Sequence, residues 1–573
     1  MMPRRRFRWF LHSGLLSGLL LAATLLAAVQ TRSLEVCDDA FISFRVASNL
    51  AAGHGLVFNP GGPPSEAASN FLYTAALAAS HAAGAPMIQA ALALDLLCAL
   101  LTLLLLAWLL NRSVGRWGVW APLALACLSL THVNAINGLE TTLVGLLLLG
   151  AVAAYLQNHE EPERAGRWLA LASVFLALLS MTRPEGPLYL LVISLHRGWR
   201  LVGRRRAGQA LNLRSEAAWI IPFALLYLPY LLFRLLYFGQ LLPNAYHAKD
   251  AFFSGAGAKL AQGALYLGTL SLVEPLLLLG LLSGLWLVRR ATNPRRRLLL
   301  LLVCTQALFM VLSGGDWPHM FGHGRFLYPA LPLCLWLLAD ALVLAWREVD
   351  RRVVVAVIAA AMLVSQIDLV GLSGLLLPPH FHLGRQGGRP ALTRQALARS
   401  LGRDLRRKPG RRWWREATAV FRDGRYLSSF DARAGLWLKE RHGLDTPIAA
   451  IQAGQFAYWS EMPFFDLFGL ATPGVARLRD DGPGMMARLG ADGVGLVAFY
   501  RWGDDIHNRG VVRSGELWRA GYGLRHVLQQ GTRRAFVIFE RGHQSDIDPI
   551  KALTVPLKNL PGLVGREVYI PID

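Results

Sequence analysis

Charge is scarce in this chain. Only 17% of its 573 residues are Asp, Glu, Lys or Arg, while 54% are hydrophobic. Soluble domains carry about 25% charged residues, so a protein that is water-soluble throughout is excluded. Cysteine is sparse as well: Cys37, Cys98, Cys127, Cys304 and Cys334 include no CxxC pair, and none follows residue 334. A disulfide framework and a cysteine zinc site are excluded. Four of the five read as small apolar core residues; Cys37, beside Asp38, stands apart. No internal repeat is present, which argues against the repeat architecture of secondary transporters. No small-residue cleavage site follows the first apolar run, Leu11 to Val29, so that run reads as an uncleaved anchor.

What the chain has in quantity is apolar length. Runs such as "ALALDLLCALLTLLLLAWLL" and "LYLGTLSLVEPLLLLGLLSGLWLV" can each cross about 30 Å of hydrocarbon. They predict a polytopic α-helical membrane protein. The net charge of +22 could be matched to nucleic acid, but the arginines cluster between apolar runs, as in cytoplasmic loops. No nucleic-acid partner is expected. The clusters are Arg112 and Arg116; Arg164 and Arg167; Arg197 to Arg206; Arg289 to Arg297; and Arg347 to Arg352. With "MMPRRRFR" in the cytoplasm, they alternate with gaps poor in basic residues. Those gaps, "HVNAINGLE", "TRPEG", "FGQLLPNAYHAKDAFFSGAGAK" and "SGGDWPHMFGHGRFLYP", then face outward, together with Asp38 and Asp39.

"SNFLYTAALAASHAAG", residues 69 to 84, breaks the alternation if it spans. Read as a half-membrane or interfacial helix, it leaves about eleven spans, with residues 1–377 as the membrane domain and 32–86 as the first outer loop. The last span covers residues 353 to 372, and "LLLPPHFHLGRQGGRP" reads as a linker. Residues 378–573 have ordinary globular composition. "TPIAAIQAG" and "RRAFVIFERG" read as buried strands, and "ARAGLWLKERHG" as a helix ended by Gly443. This predicts a C-terminal soluble α/β domain, which parity places outside. The basic stretch from Arg385 to Arg425 leans the other way, but long domains translocate largely regardless of charge.

Ionisable groups at a membrane surface are expensive and point to function. Asp38 and Asp39 have apolar and aromatic neighbours, Val36, Ala40, Phe41 and Phe44. Adjacent helical side chains diverge by about 100°, so the two carboxylates are expected to do different jobs, one of them as general base. Basic groups from later outer loops, His247, Lys249, Arg183 and Arg325, suit an anionic phosphate headgroup. Arg183 and Arg325 serve equally well as ion-pair partners of Glu185 and Asp316. Asp316, Asn244, Asn70 and Glu185 are candidate substrate contacts. His319 and His323 are spaced to share a divalent metal on one helical face, but Pro318 and the flanking glycines disfavour a regular helix there. A base carboxylate and phosphate-binding cations suggest a single displacement: a hydroxyl is deprotonated while a lipid-linked phosphate leaves a sugar, with inversion. A double displacement needs opposed carboxylates, which adjacent residues supply poorly.

The segment "DDAFISFRVASNLAAGHGLVFNPGGPPSEAASNFLYTAAL" resembles the first outer loop of GT-C membrane glycosyltransferases that use polyprenyl-phosphate sugars. Within that class the chain is most similar to the set containing the mycobacterial terminal β-(1→2)-arabinofuranosyltransferase and the pilin arabinosyltransferases. "NAINGLETTLVGLLL", "MTRPEG", "YFGQLLPNAYHAK", "SGGDWPHMFGHGRFLYPALP" and "FFDLFGLATPGVAR" follow in the same order. The resemblance implies a GT-C fold and an outer-face site in a bacterial inner membrane. It implies a base at Asp38 or Asp39, with Asp38 preferred, and a donor phosphate held by His247, Lys249 and Arg325. It also implies an outer domain that helps bind a glycan or protein acceptor. The chain departs from the pattern at Ala67, Ala68 and Ser69 before Asn70, and the resemblance leaves the sugar open, arabinofuranosyl leading. A lipid-linked glycan transporter, suggested by Asp95 and Glu274 within apolar runs, and a non-catalytic envelope assembly protein are the alternatives.

Overall fold

The computed structural model describes residues 36–348 and 429–547, apart from short gaps of which 317–323 and 507–513 are the longest, and a few residues outside these limits. Most of the first apolar run, the span at 353–372, most of the basic stretch after Arg385, and His319 and His323 lie outside the described residues.

Five described helices are long and apolar enough to cross a membrane: Met87–Ser113, Thr141–Asn158, Ala165–Thr182, Leu213–Phe238 and Tyr328–Trp346. Their burial differs in an instructive way. Thr141–Asn158 is 89% buried and forms the centre of the bundle, whereas Leu213–Phe238 is 17% buried. On the latter, Leu225, Leu228, Leu232 and Leu236 repeat at helical spacing and are all exposed, an apolar stripe suited to lipid. Gly186–Arg206, Ala256–Val273, Pro275–Arg290 and Pro294–Leu312 complete the described bundle. The basic start of the last of these is tied down where Arg295 and Arg296 pair with the buried Asp340 at 2.6 and 3.2 Å.

The segment read as interfacial forms a helix, Phe71–Ala82, of 12 residues. At 1.5 Å per residue it is about 18 Å long, too short to span. Ahead of it lies helix Asp38–Ala51, and both pack on one another and on Met87–Ser113. Cys98 and Cys334 are buried as expected, but Cys127 is half-buried and Cys304 exposed. A small thiol is at ease against lipid as well as in a core, so the sequence could not separate the two.

A two-residue pair, β1 (Arg385–Gln386) and β2 (Arg389–Pro390), precedes the main sheet. That sheet contains β3 (Ile448–Ala450), β4 (Phe464–Asp466), β5 (Leu496–Trp502), β6 (Asp505–Ile506), β7 (Tyr522–Gln530), β8 (Arg534–Arg541) and β9 (Tyr569–Pro571). The order is β4-β3-β5-β8-β7-β9, with β6 on β5. β3 runs parallel to β4 and β5, while β8 runs antiparallel to β5 and β7. Helix Phe430–His442 ends at Gly443, whose φ of 73° suits glycine. One face of the sheet packs on the helices at 482–491 and 514–519.

The other face is covered by the first loop. Ile42, Val46, Leu56 and Phe58 join Phe430, Phe456, Phe464 and Phe536 in one buried cluster. Burying these four first-loop side chains is worth roughly 6–12 kcal/mol at most. Polar contacts fix the register of the docking. Arg45 donates to the carbonyls of Phe58 at 2.8 Å, Met462 at 2.7 Å and Ala457. The Asn59 amide accepts from the Phe464 N–H and donates to the Phe464 carbonyl, both at 2.9 Å, behaving as an extra strand residue on β4. First loop and sheet therefore form one packed unit.

Candidate active site

Helix Asp38–Ala51 begins after Cys37, whose φ of −63° and ψ of 141° are extended. Two acids in the first turn suit the positive end of the helix dipole. The start is pinned by the Cys37 N–H, which donates to the Asn137 carbonyl at 2.8 Å. Beside it Gly138, at φ 75°, lets the 134–140 turn approach Ala40 and Phe44; a Cβ there would stand 2.9 Å from the Phe44 ring.

From this turn the two carboxylates diverge, as the helical periodicity requires. Asp38 faces the sheet domain, where its Oδ1 accepts from the Gln455 N–H at 2.7 Å. Burial, then the Asp431 charge, push its pKa up to about 7; the Gln455 N–H works in the opposite direction. Asp39 faces the helical bundle, where its Oδ2 accepts from Arg325 Nη1 at 3.0 Å.

Arg325 also grips Asp316 with two bonds, Nε to Oδ2 at 2.7 Å and Nη2 to Oδ1 at 2.8 Å. Burial opposes its charge, but Asp316 and Asp39 outweigh burial and raise its pKa. Arg183 pairs with Glu140 at 2.8 Å and Glu185 at 3.2 Å. Lys249 donates to the Gly315 carbonyl and, among the described residues, has no carboxylate partner. Burial lowers its pKa to about 8, with Asp316 opposing and Arg325 and Arg183 adding to the fall. All three cations surround one ring: Arg183, Lys249 and Arg325 lie 5.0, 5.1 and 5.6 Å from the Phe326 centroid. The chain bends into place at Gly315, φ 68°, where any Cβ would overlap Tyr266.

Asn70 is a hub one layer away. Its Nδ2 donates to Glu140 Oε2 at 2.5 Å, and its Oδ1 accepts from Ser43 at 3.1 Å and Thr74 at 2.8 Å. The structure thus gathers Asp39, Asp316, Lys249, Arg183, Glu185 and Arg325, with Asp38 adjacent and Asn70 linked through Glu140. Asn244 does not join them. It accepts from Gln240 at 2.6 Å and donates to Ser65 at 3.2 Å, tying helix Asn244–Phe252 to the first loop. His247 is half-buried on that helix, edge-on to Tyr246 at 5.7 Å. Among the described residues no three His, Cys, Asp or Glu side chains are grouped as metal ligands. Asp95 is accounted for structurally, accepting from the Tyr73 hydroxyl at 2.9 Å and the Gly138 N–H at 3.0 Å.

Sequence reasoning missed Glu140, Phe326, Gly454 and Gln455. Glu140 carried a signal, being an acid in the apolar outer segment "NAINGLE". Phe326 acts through its ring face, Gln455 through its backbone N–H and Gly454 through a close backbone approach to Asp38, none of which is marked in composition.

Residues 419–541 match a family model described as a domain of unknown function (DUF8728). The chain is 31% identical over 345 residues to the terminal β-(1→2)-arabinofuranosyltransferase of Mycobacterium tuberculosis, covering 52% of this chain and 51% of that protein. It therefore spans about half the length of the curated relative it matches. Among solved structures, ArnT from Cupriavidus metallidurans in the apo state aligns with TM-score 0.53 at 15% identity, covering 91% of this chain and 97% of that one. The same protein bound to undecaprenyl phosphate aligns with TM-score 0.50 at 13% identity, with the same coverage. The apo oligosaccharyltransferase of Archaeoglobus fulgidus aligns with TM-score 0.50 at 12% identity, covering 86% and 69%. The chain has the fold shared by these membrane proteins, and the resemblance to the GT-C class holds at the level of the fold.

Proposed function

We propose that this chain is an inverting membrane glycosyltransferase. It moves a sugar, arabinofuranosyl being the leading candidate, from a polyprenyl-phosphate donor to a hydroxyl of a cell-surface glycan or protein. The observation that carries the reading is the divergence of the first helical turn. One carboxylate reaches a three-cation cluster and its neighbour reaches the sheet domain. The similarity to an arabinofuranosyltransferase and to a fold solved with undecaprenyl phosphate supports a lipid-phosphate donor.

In this reading Asp38 takes the proton from the acceptor hydroxyl. The new bond forms between that oxygen and the anomeric carbon. The bond from that carbon to the phosphate oxygen breaks, and polyprenyl phosphate departs with the electron pair. Lys249 and Arg325 meet the charge on the phosphate, Arg183 supports them around Phe326, and Asp39 and Asp316 hold the Arg325 fork in place. A base with a pKa near 7 suits proton abstraction at neutral pH.

Residues 1–377 form the membrane domain of about eleven spans, and 378–573 the soluble domain that helps bind the acceptor. The hydrogen bond from Gln455 to Asp38 supports a common side of the membrane for first loop and sheet. The arginine bias makes that side the outer, periplasmic face of a bacterial inner membrane. The test is a transfer assay in membranes with a panel of polyprenyl-phosphate sugars, reading the anomeric configuration of the product. Transfer with inversion supports the reading. No turnover with any donor, alongside translocation of a glycolipid, overturns it in favour of a transporter.

A further inference from the structure

The turn entering helix Gln455–Ser460 comes closer to the first helix than side-chain packing requires. A Cβ placed on Gly454 would overlap the Asp38 carbonyl oxygen and the Cγ and Oδ2 of its carboxylate. Gly454 sits at φ −83° and ψ −115°, and its lack of a side chain is what admits the approach. The next peptide provides the Gln455 N–H for Oδ1. Among the described residues Oδ2 of Asp38 has no hydrogen-bond partner. Behind the turn, the Ser429 hydroxyl donates to Gln455 Oε1 and accepts from the Ala432 N–H at 3.1 Å.

We propose that the Gly454–Gln455 peptide is a positioning element for Asp38. It occupies Oδ1, leaves Oδ2 to receive the acceptor's proton, and makes proton transfer conditional on the sheet domain being seated on the first loop. This rests on Asp38 being the base of the reaction above. The seat itself is the set of contacts made by Arg45, Asn59 and Ser65, whose hydroxyl donates to the Ala471 carbonyl. A sheet domain that lifts away takes the N–H with it. The titratable groups facing Asp38 are Asp431 of helix Phe430–His442, Tyr500 of β5, and Asp39 and Cys37 of its own segment.

The test uses the full chain, a polyprenyl-phosphate sugar and a hydroxyl acceptor, with kcat followed against pH. Gln455→Pro removes the N–H at the first position of a helix, where proline is accommodated, and Gln455→Ala is the control that keeps the N–H. Gln455→Ala is expected to stay near wild type. Gln455→Pro is expected to lose kcat by roughly 10–100-fold, with donor KM unchanged. Its acidic limb should move to higher pH, because the lost N–H had favoured the carboxylate. Wild-type kcat in Gln455→Pro, or a loss with the limb unmoved, overturns the proposal. If that variant does not fold, Gly454→Ala decides: it should also lose kcat, and wild-type turnover overturns the proposal. Asp38→Asn separates the two readings. Turnover in Asp38→Asn removes the base assignment itself, whereas an inactive Asp38→Asn beside a normal Gln455→Pro removes only the positioning role.

Discussion

Lys249→Gln is the substitution whose effect follows most directly from the charge distribution around Phe326. Arg325 is met by carboxylates at 2.7 and 3.0 Å and Arg183 by carboxylates at 2.8 and 3.2 Å. Among the described residues Lys249 has only the Gly315 carbonyl and the ring face. In the proposed reaction it is therefore the cation that brings the least neutralised charge to a donor phosphate, beside the carboxylate-paired Arg325. Two unit charges about 4 Å apart at an effective dielectric of about 20 attract by about 4 kcal/mol, and removing one partner of a charged hydrogen bond costs about 1.5–3 kcal/mol. The expected loss in kcat/KM for the donor is thus about 10–150-fold, and it should fall mainly on KM. The amine must be protonated to bind an anion and its pKa lies at about 8. Wild-type kcat/KM should decline above pH 8, and the variant should lose that decline. The assay is initial-rate transfer in detergent with varied donor. A variant within twofold of wild type, keeping the alkaline limb, would refute the reasoning.

Other substitutions test the surrounding structure. Glu140→Ala strips Arg183 and the Asn70 amide of a shared partner and should destabilise the fold by about 1–3 kcal/mol, read as a lowered Tm in detergent. Arg45→Met removes the anchor between first loop and sheet, and should make the sheet region separable by limited proteolysis while leaving the helical bundle intact. Asp38→Asn should raise Tm at pH 8. The folded carboxyl has a pKa raised from 3.8 to about 7, so between about pH 4 and 7 the folded state holds a proton that the unfolded chain releases. Stability therefore falls as pH rises through that window, and the gain in the variant should vanish towards pH 4. Cysteine labelling beside Asp38 and in β7 should report the same side of the membrane; opposite sides would contradict the packing of first loop on sheet.

Much of this arrangement was legible in the residues. The divergence of Asp38 and Asp39 follows from helical periodicity alone, and the short helix Phe71–Ala82 follows from arginine parity. The ion pairs of Arg183 and Arg325 were open alternatives to phosphate binding, and the structure shows them formed. His247 and Asn244 looked equivalent to Lys249 because they share its short segment. On a helix of nine residues, Asn244–Phe252, neighbours face different ways, and Lys249 is the one of the three with a described contact to the cluster. The grip on Asp38 was illegible for a different reason. It joins residues 417 positions apart through a backbone N–H, and an N–H is present at every residue except proline.

The central claim is that Asp38 removes the acceptor's proton while Asp39 holds Arg325 for the donor. The measurement that tests it most directly is kcat and donor KM for Asp38→Asn and Asp39→Asn in the same transfer assay. Asp38→Asn should abolish turnover with donor binding retained, and Asp39→Asn should raise donor KM while turnover persists. Turnover at the wild-type rate in Asp38→Asn, with Asp39→Asn inactive, would contradict the account.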